Sequence, residues 1–390
     1  MNDASELLGL SAAQIRASGA HWTVREIAQQ PEIWPQIAHQ VSSDAGLAAF
    51  LEPLLANPAL RIVLTGAGSS SYIGKCLAPA LARAGRRAEA IPTTDIVTGP
   101  AATLGGNTPT LMVHFARSGN SPESVAALEL AERLLGDCHH LIVTCNAQGE
   151  LQRRAGALGH ARSIVLPEAC NDQSFAMTSS FTGMLLAAAV ALRALAAGLA
   201  HIEGMVHPAH ELLTKHLSLV SSLVRAQFDR VVYLGSNELK GLALESALKM
   251  LELTDGKVVS VAESPLGFRH GPKTIVNGST LVVAFLSNDE HTRRYDLDLL
   301  HELRTEAVAG RVIGVSARPE TPESPDIIVL GAVAAAMTDL ELCLPYVVLA
   351  QMLALQRSVS LGLSPDSPNA AGTVNRVVQG VCVYPYTTRA

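Results

Sequence analysis

Polar residues that could bind an anion lie between a strand-like run and a helix-like run in the first third of the chain. The apolar run TLMVHFA ends in a loop of five residues: Arg117, Ser118, Gly119, Asn120 and Ser121. Ser121 is a favourable N-cap and Pro122 suits the first helical position, so a helix is predicted to begin there. Hydroxyls, free amides and an arginine at a helix N-terminus favour a phosphate monoester, and without a Walker lysine a nucleoside triphosphate is disfavoured. The alternative is that these residues only cap a helix and form a turn.

A second serine-rich turn, TGAGSSSYIG, occurs at residues 65–74. It also follows a strand-like run and opens a helix-like one, and it carries Ser69 and Ser70. A dinucleotide-binding turn is a rival interpretation, but the match to G-x-G-x-x-G is poor and the next strand does not end on an acidic residue. Two such turns in one domain favour the anion-binding interpretation over capping alone.

Acid and base chemistry could come from the stretch LALESALKMLEL and from ESPLGFRHGPK. Glu245, Lys249 and Glu252 are spaced to share one face of a helix. The spacing alone fits a solvated ion pair, and it also fits a carboxylate general base whose pKa is set by its neighbours. His270 follows Arg269, and a lone histidine is more often structural than catalytic.

Composition limits the class of protein. The 390 residues predict two to three domains, and 48% apolar with 16% charged residues is typical of a soluble α/β protein. A net charge of −6, with no basic run, argues against nucleic acid as a partner. The six cysteines form no CxxC pair and no zinc spacing, so neither a metal nor an organic cofactor is expected.

Two apolar stretches resemble membrane spans. The stretch TGMLLAAAVALRALAAGLA contains Arg193, and AVAAAMTDLELCLPYVVLAQML contains Asp339 and Glu341. Both are predicted to be core helices rather than membrane helices. No signal peptide is recognised at the N-terminus, so a cytoplasmic protein with no membrane partner is expected.

Three strand-like runs recur in the same order about 170 residues apart: RIVLTG and RVVYLG, TLMVHF and TLVVAF, HLIVTCN and RVIGVSA. The recurrence indicates an internal duplication. Strands that alternate with helix-like stretches predict an α/β fold in which each copy is a parallel sheet flanked by helices, a flavodoxin-like or Rossmann-like three-layer sandwich. The predicted units are a helical N-terminal segment, two domains and an irregular tail, at 1–44, 45–205, 206–364 and 365–390.

The motifs GAGSSS, ARSGNSPES, ALESALKMLEL, RHGP and GTVNRVVQGV, in this order, resemble the double sugar isomerase (SIS) domain family. The similarity extends to the isomerase half of glucosamine-6-phosphate synthase and is greatest to the galactosamine-6-phosphate deaminase/isomerase group, also described as tagatose-6-phosphate ketose/aldose isomerases. The resemblance implies two tandem SIS domains and an enzyme of sugar-phosphate metabolism.

The resemblance also implies roles for individual residues. Ser70, Ser118 and Ser121 match the phosphate-binding hydroxyls, with Ser69, Arg117 and Asn120 beside them. Glu252 matches the carboxylate that moves a proton between C2 and C1, and Glu245 and Lys249 match its supporting pair. Thr178 and Ser179 match a segment that lines the sugar. His270 matches the ring-opening histidine, which in relatives comes from the partner subunit and so implies a homodimer.

This chain departs from the family pattern at three places. Ala116 replaces the first hydroxyl of the phosphate loop, and Arg117 could compensate. The synthase lysine that holds a ketose as an imine is absent from the tail, which offers Asn375 and Arg376 instead. No glutaminase domain supplies ammonia. These departures favour release of ammonia over its installation.

The expected activity is conversion of galactosamine 6-phosphate to tagatose 6-phosphate and ammonia. Three alternatives remain open: an aldose–ketose phosphosugar isomerase that releases no ammonia, a glucosamine-6-phosphate deaminase, and a non-catalytic regulator that binds a sugar phosphate. No helix-turn-helix segment supports a transcriptional role.

Overall fold

A short antiparallel pair and three helices begin the chain, whose computed structural model describes residues 6–196, 198–319, 326–378 and 380–387. These first elements are β1 (Glu6–Leu7), β2 (Leu10–Ser11), α1 (Ala12–Ser18), α2 (His21–Ala28) and α3 (Gln30–Ser43). Pro31 lies in the first turn of α3 and Pro35 lies inside it, so Pro35 does not end the helix. Helices thus occupy most of residues 12–43, and the N-terminal segment 1–44 as a separate unit stays a prediction.

The first parallel sheet and its helices follow: α4 (Ala45–Leu55), β3 (Arg61–Thr65), α5 (Ser69–Arg83), β4 (Arg87–Ala90), α6 (Thr93–Thr98), α7 (Pro100–Thr103), β5 (Thr110–Ala116), α8 (Pro122–Leu134), β6 (Cys138–Thr144), α9 (Glu150–Ala155), β7 (Ala161–Val165), a 3-10 turn (Glu168–Cys170) and α10 (Ser179–Ala191). The helix predicted at Pro122 is α8, and Ser121 is its N-cap residue.

The second parallel sheet and its helices complete the fold: α11 (Leu199–Lys215), α12 (Leu217–Arg225), β8 (Arg230–Leu234), α13 (Glu238–Leu253), β9 (Val259–Glu263), α14 (Pro265–Arg269), a 3-10 turn (Pro272–Ile275), β10 (Thr280–Phe285), α15 (Glu290–Glu306), β11 (Arg311–Ser316), β12 (Ile327–Val329), α16 (Gly331–Ala334) and α17 (Asp339–Ser360).

The two sheets share one topology. Their strand orders are β4-β3-β5-β6-β7 and β9-β8-β10-β11-β12, and every pair within them is parallel. Each order corresponds to the flavodoxin-like arrangement 2-1-3-4-5. The repeated runs of the sequence are equivalent strands, because β3 matches β8, β5 matches β10 and β6 matches β11. The predicted α/β fold with a duplicated parallel sheet is therefore confirmed.

Both sheets are covered on both faces and share a core. Ile62 and Leu64 of β3 point into the main apolar cluster, while Val63 points into a separate cluster on the opposite face. The main cluster also includes strand residues of the second sheet and residues of α5, α10, α13 and α17, which pack between the sheets. This shared packing lets one half of the chain position residues beside the other half.

The main helices of the two apolar stretches, α10 and α17, are core helices as predicted, whereas Arg193 follows the end of α10. Every residue of α10 is buried. Helix α17 is the single described helix long and apolar enough to span a membrane, and 94% of its apolar window is buried inside the protein. Residues 361–378 and 380–387 contain no helix or strand, and the tail as a separate unit stays a prediction. The domain limits at residues 45, 206 and 365 stay predictions.

Candidate active site

Both serine-rich turns lie at the carboxyl edge of the first sheet. In a 2-1-3-4-5 sheet the crevice for ligands opens between the carboxyl ends of the first and third strands, which here are β3 and β5. The N-termini of α5 and α8 point at the same place, with Ser69 and Pro122 as their first residues. Gly68 makes the first turn at a φ of +56°, a conformation that favours glycine. The edge therefore carries free backbone amides and hydroxyls together.

A cavity of about 110 Å³ occupies this crevice. Ser70, Ser118 and Ser121 line it, whereas Ser69 and Asn120 do not. The Asn120 Oδ1 atom instead accepts a hydrogen bond from the Glu150 amide at 2.9 Å. The complete lining is Ala67, Ser70, Phe115, Ala116, Arg117, Ser118, Gly119, Ser121, Ser124, Met177, Arg376, Val377 and Val378.

Arg117 supplies a buried positive charge at the cavity. Its side chain is buried, and its guanidinium donates to the carbonyl oxygens of Phe175 at 3.2 Å and Arg376 at 2.8 Å. Burial lowers the pKa of Arg117 from its ordinary value, but a guanidinium stays protonated at neutral pH. Within the described residues no carboxylate forms an ion pair with it. A buried cation without an ion-pair partner, facing a cavity, fits a bound anion.

A carboxylate–lysine–carboxylate cluster lies on α13. Glu245 and Lys249 are completely buried, and the Glu252 side chain is 23% exposed. Lys249 forms an ion pair with Glu252, and its Nζ atom lies 3.5 Å from Glu245 Oε1. The three residues share one helix face, as their spacing predicts, but the interpretation as a solvated surface pair does not fit this burial.

Burial and charge set the protonation of this cluster. Burial raises the pKa of Glu245 to about 8, although Lys249 acts in the opposite direction. Burial alone would lower the pKa of Lys249, but Glu245 and Glu252 together raise it. The arrangement therefore favours a charged Lys249–Glu252 pair beside a protonated Glu245 near neutral pH.

Close helix packing brings the cluster to the serine turn. Helix α13 crosses α5 at Gly241, where an added Cβ would lie 2.6 Å from the Cys76 amide nitrogen. Further along α13, Leu248 packs against Gly68. Arg117, across the crevice, lies within electrostatic range of both Lys249 and Glu252. The anion cavity of the first half and the acid–base cluster of the second half thus meet.

Tyr72 was not identified from the sequence. It lies on α5 directly after the serine run, and its pKa is raised by burial and by the charge of Glu245. Lys249 and Glu252 also act on it, so its hydroxyl belongs to the surroundings of the cluster. Its place after three serines was the available signal.

Thr178 and Ser179 are buried, and neither lines the cavity. The Thr178 hydroxyl donates to Asp172 at 3.2 Å, and the Ser179 hydroxyl donates to the Glu26 carbonyl at 2.6 Å. Asp172 also accepts the backbone amides of residues 178 to 180 and so holds the N-terminus of α10. Both hydroxyls thus already have protein partners.

His270 lies on the outside of the second sheet. It ends the short helix α14, which packs against α15, and its side chain is exposed. It does not line the cavity beside Glu252 within this subunit.

The tail crosses the cavity. Arg376 donates to the Asp172 carbonyl, and its own carbonyl accepts the Arg117 bond, so the cavity wall includes tail residues. Asn375 is exposed and donates to the Gly372 carbonyl at 3.4 Å.

Comparison with known proteins identifies the family. Residues 54–194 match the SIS domain. The D-galactosamine-6-phosphate deaminase AgaS of Shewanella sp. (strain ANA-3) is 45% identical over 381 residues, which cover 97% of this chain and 95% of that protein. The chain belongs to the AgaS family of SIS-domain proteins. The recognition of this family from the sequence motifs is confirmed.

Two further proteins are similar to this AgaS-family chain, one in structure and one, more distantly, in sequence. The crystal structure of tagatose-6-phosphate ketose/aldose isomerase from Escherichia coli matches with a TM-score of 0.88 at 39% identity and covers 95% of this chain and 99% of its own. A glutamine–fructose-6-phosphate aminotransferase of Bradyrhizobium diazoefficiens is 26% identical over 90% of this chain and 58% of its own length.

In this AgaS-family chain the serines in the equivalent turns of the second sheet bond to carboxylates of the protein. Ser236 donates to Asp296 at 2.7 Å, and Ser287 donates to Asp339. Asn237 replaces the glycine of the first turn at a φ of +50°. The serines that remain are bonded to buried acids, whereas Ser70, Ser118 and Ser121 of the first sheet line a cavity.

Proposed function

We propose that this chain converts galactosamine 6-phosphate to tagatose 6-phosphate and ammonia. The observation that carries the proposal is the placement of the Lys249–Glu252 pair beside the anion cavity of Arg117. An acid–base group next to a phosphate-sized cavity matches an enzyme that holds a sugar phosphate at one end and moves protons at the other. The names of the relatives at 45% and 39% identity support this substrate class.

The cavity would hold the 6-phosphate. The hydroxyls of Ser70, Ser118 and Ser121 and the guanidinium of Arg117 would donate to its oxygens, with Ser69 and Asn120 supporting the two turns. Charge-assisted hydrogen bonds contribute roughly 1.5–3 kcal/mol each, so several of them would fix the sugar relative to α13. Helix N-termini of α5 and α8 would add favourable dipoles.

Glu252 would act on the reacting carbons. It takes the proton from C2 of the open-chain amino aldose, which gives an enolamine, and returns it at C1. The C2 imine that results adds water and expels ammonia, which leaves the ketose 6-phosphate. Lys249 would hold Glu252 in position, and the protonated Glu245 would avoid a second negative charge beside it.

Ring opening would fall to His270 of a second subunit. His270 is exposed and away from the cavity of its own chain, which fits a homodimer in which each subunit lends this histidine to the other. Thr178, Ser179 and Arg376 would shape the sugar side of the site, chiefly through backbone atoms and the tail. A cytoplasmic location fits a substrate of this kind.

Ammonia release distinguishes the proposed deaminase from the alternative functions. The purified protein is given galactosamine 6-phosphate and glucosamine 6-phosphate in separate assays, and ammonia and ketose phosphate are both measured. We expect rapid release from the galactosamine substrate. Ammonia release from glucosamine 6-phosphate alone would identify a glucosamine-6-phosphate deaminase. Exchange between tagatose 6-phosphate and an aldose 6-phosphate without ammonia release would identify a plain isomerase. Sugar-phosphate binding without turnover would identify a regulator.

A further inference from the structure

A cluster of metal-ligating side chains lies at the opposite edge of the first sheet. Donor atoms of Glu132, Cys138 and His140 all lie within 4.8 Å of one another. The Cys138 Sγ atom is 3.4 Å from His140 Nε2, and Glu132 Oε1 is 2.8 Å from the same nitrogen. His160 Nε2 lies 2.9 Å from Glu132 Oε1 but outside the group of donors that are mutually within 4.8 Å, so its ring would move closer to become a fourth ligand.

We propose that these four side chains bind a zinc ion. Zinc takes four ligands in a tetrahedron from thiolate, imidazole and carboxylate groups, which are the three types present. One thiolate and one carboxylate would neutralise the charge of the ion, so a neutral site would result. The mixed sulfur, nitrogen and oxygen set disfavours calcium and magnesium, which prefer oxygen ligands alone.

The distances from His140 to Cys138 and Glu132 suit the ion after a small adjustment. Zinc–ligand bonds of about 2.0–2.3 Å in a tetrahedron place neighbouring donors about 3.3–3.6 Å apart. The sulfur–nitrogen distance already has that value, whereas the carboxylate must withdraw by roughly half an ångström from His140. Glu132 can move in this way because it lies at the surface with a 27% exposed side chain.

Three elements contribute the ligands. Glu132 lies near the end of α8, Cys138 and His140 lie at the start of β6, and His160 directly precedes β7. The His140 Nδ1 atom lies 3.0 Å from His114 Nε2 on β5, which would orient the ligating ring as outer partners do in metal sites. The ion would therefore tie the helix to β6 and to the start of β7.

The cluster is separate from the proposed active site. Cys138 begins β6, whereas Thr144 at the other end of that strand bonds to the Ala116 carbonyl beside the anion cavity. A strand of this length spans about 20 Å. A structural ion is therefore expected to change stability and to leave turnover nearly unchanged, which makes its test independent of the proposed function.

The sequence did not predict this site. Cys138 and His140 stand two apart on a strand, Glu132 belongs to the preceding helix, and His160 comes from a later connection. No CxxC pattern results, because strand pairing rather than sequence spacing brings the four donors together.

Zinc content of the untagged protein is the first test. The full-length chain is expressed with zinc, passed through a desalting column and measured by elemental analysis. We expect about one zinc per chain, and less than a tenth of that in Cys138→Ser and in His160→Ala. His139→Ala removes the intervening histidine, which is not a proposed ligand, and should retain the metal.

Cobalt gives a second readout that involves the thiolate. Apo-protein loaded with one equivalent of Co²⁺ should show a thiolate-to-cobalt charge-transfer band that is lost in Cys138→Ser and kept in Cys382→Ser. Zinc should also raise the midpoint of thermal unfolding in the wild type and not in Cys138→Ser. Absence of stoichiometric zinc together with absence of the cobalt band would overturn the proposal and leave a hydrogen-bonded cluster around Glu132.

Discussion

At the scale of single residues, Lys249 is shared by two carboxylates that differ in exposure. Glu252 is partly exposed and forms the ion pair, whereas Glu245 is completely buried and has a raised pKa. A lysine can neutralise one carboxylate, so the second is most stable when protonated. This asymmetry favours Glu252 as the proposed base, with Glu245 in a supporting role.

Replacement of Glu252 by glutamine tests that assignment. Glu252→Gln keeps the size and polarity of the side chain but removes the base, so kcat should fall by a factor of about 10²–10⁴. Binding of the sugar phosphate, measured by calorimetry, should change less than about threefold because the phosphate contacts are elsewhere. Glu263→Gln, which removes a carboxylate paired with Lys240, is the matched control and should keep its rate. A Glu252→Gln enzyme with most of its activity would contradict the assignment.

The raised pKa of Glu245 predicts a dependence of stability on pH. Between its ordinary value of 4.5 and about 8 the folded state holds a proton that the unfolded state has lost. Stability from this group is present at low pH and is lost as pH rises through that window, at about 1.4 kcal/mol for each pH unit crossed. The unfolding free energy of the wild type minus that of Glu245→Gln should therefore decrease from pH 5 to pH 8 in urea titrations.

A surface variant provides the reference for that experiment. Glu52→Gln changes an exposed carboxylate, and its difference from the wild type should stay constant over the same range. If the Glu245→Gln difference were equally constant, Glu245 would not be protonated in the folded protein near neutral pH.

The sequence predicted which residues share a helix face, but it did not predict which residues surround them. The i, i+4, i+7 spacing places Glu245, Lys249 and Glu252 on one face, and that face is observed. Spacing could not show that the face is buried, because burial depends on the helix that packs against it. Tyr72 was missed for the same reason, since its neighbours belong to a helix more than 150 residues away in sequence.

At the scale of elements, the repeated strands were predictable because a buried parallel strand is a continuous apolar run. The runs at Arg61, Thr110 and His140 recur as β8, β10 and β11. The crossing of α13 over α5 was not predictable. Both helices contain glycine, but the sequence does not indicate which helix packs against which. That crossing nevertheless joins the anion cavity to the acid–base cluster.

Gly241→Ala tests the importance of this crossing. The new Cβ would lie 2.6 Å from the Cys76 amide nitrogen, so α13 must move away from α5. We expect a loss of about 1–3 kcal/mol in unfolding free energy, and a lower kcat because Glu252 moves with the helix. Gly204→Ala on α11, whose nearest contact would be 3.8 Å, should be neutral or slightly stabilising. Equal stability of the two variants would mean that the helices can separate without cost.

At the scale of the whole molecule, each half of the chain supplies what the other lacks. Serine hydroxyls line a cavity at the switch point of the first sheet, whereas serines at the second switch point are bonded to Asp296 and Asp339. The second half supplies Glu252 and Lys249 instead. His270 lies outside this shared site and is exposed on the outer side of the second sheet. The proposed homodimer, in which a second copy of the chain completes the site, would account for its position.

Complementation between inactive variants tests the shared site. Glu252→Gln and His270→Ala should each be nearly inactive alone. When the two are co-expressed in equal amounts, half of the dimers are mixed, and one of the two sites in each mixed dimer has both Glu252 and His270 intact. Activity should therefore recover to about one quarter of the wild-type value per chain. If Glu252 and His270 act within one subunit, or if the protein is a monomer, the mixture would stay as inactive as its components, and sedimentation of the wild type would separate these two cases.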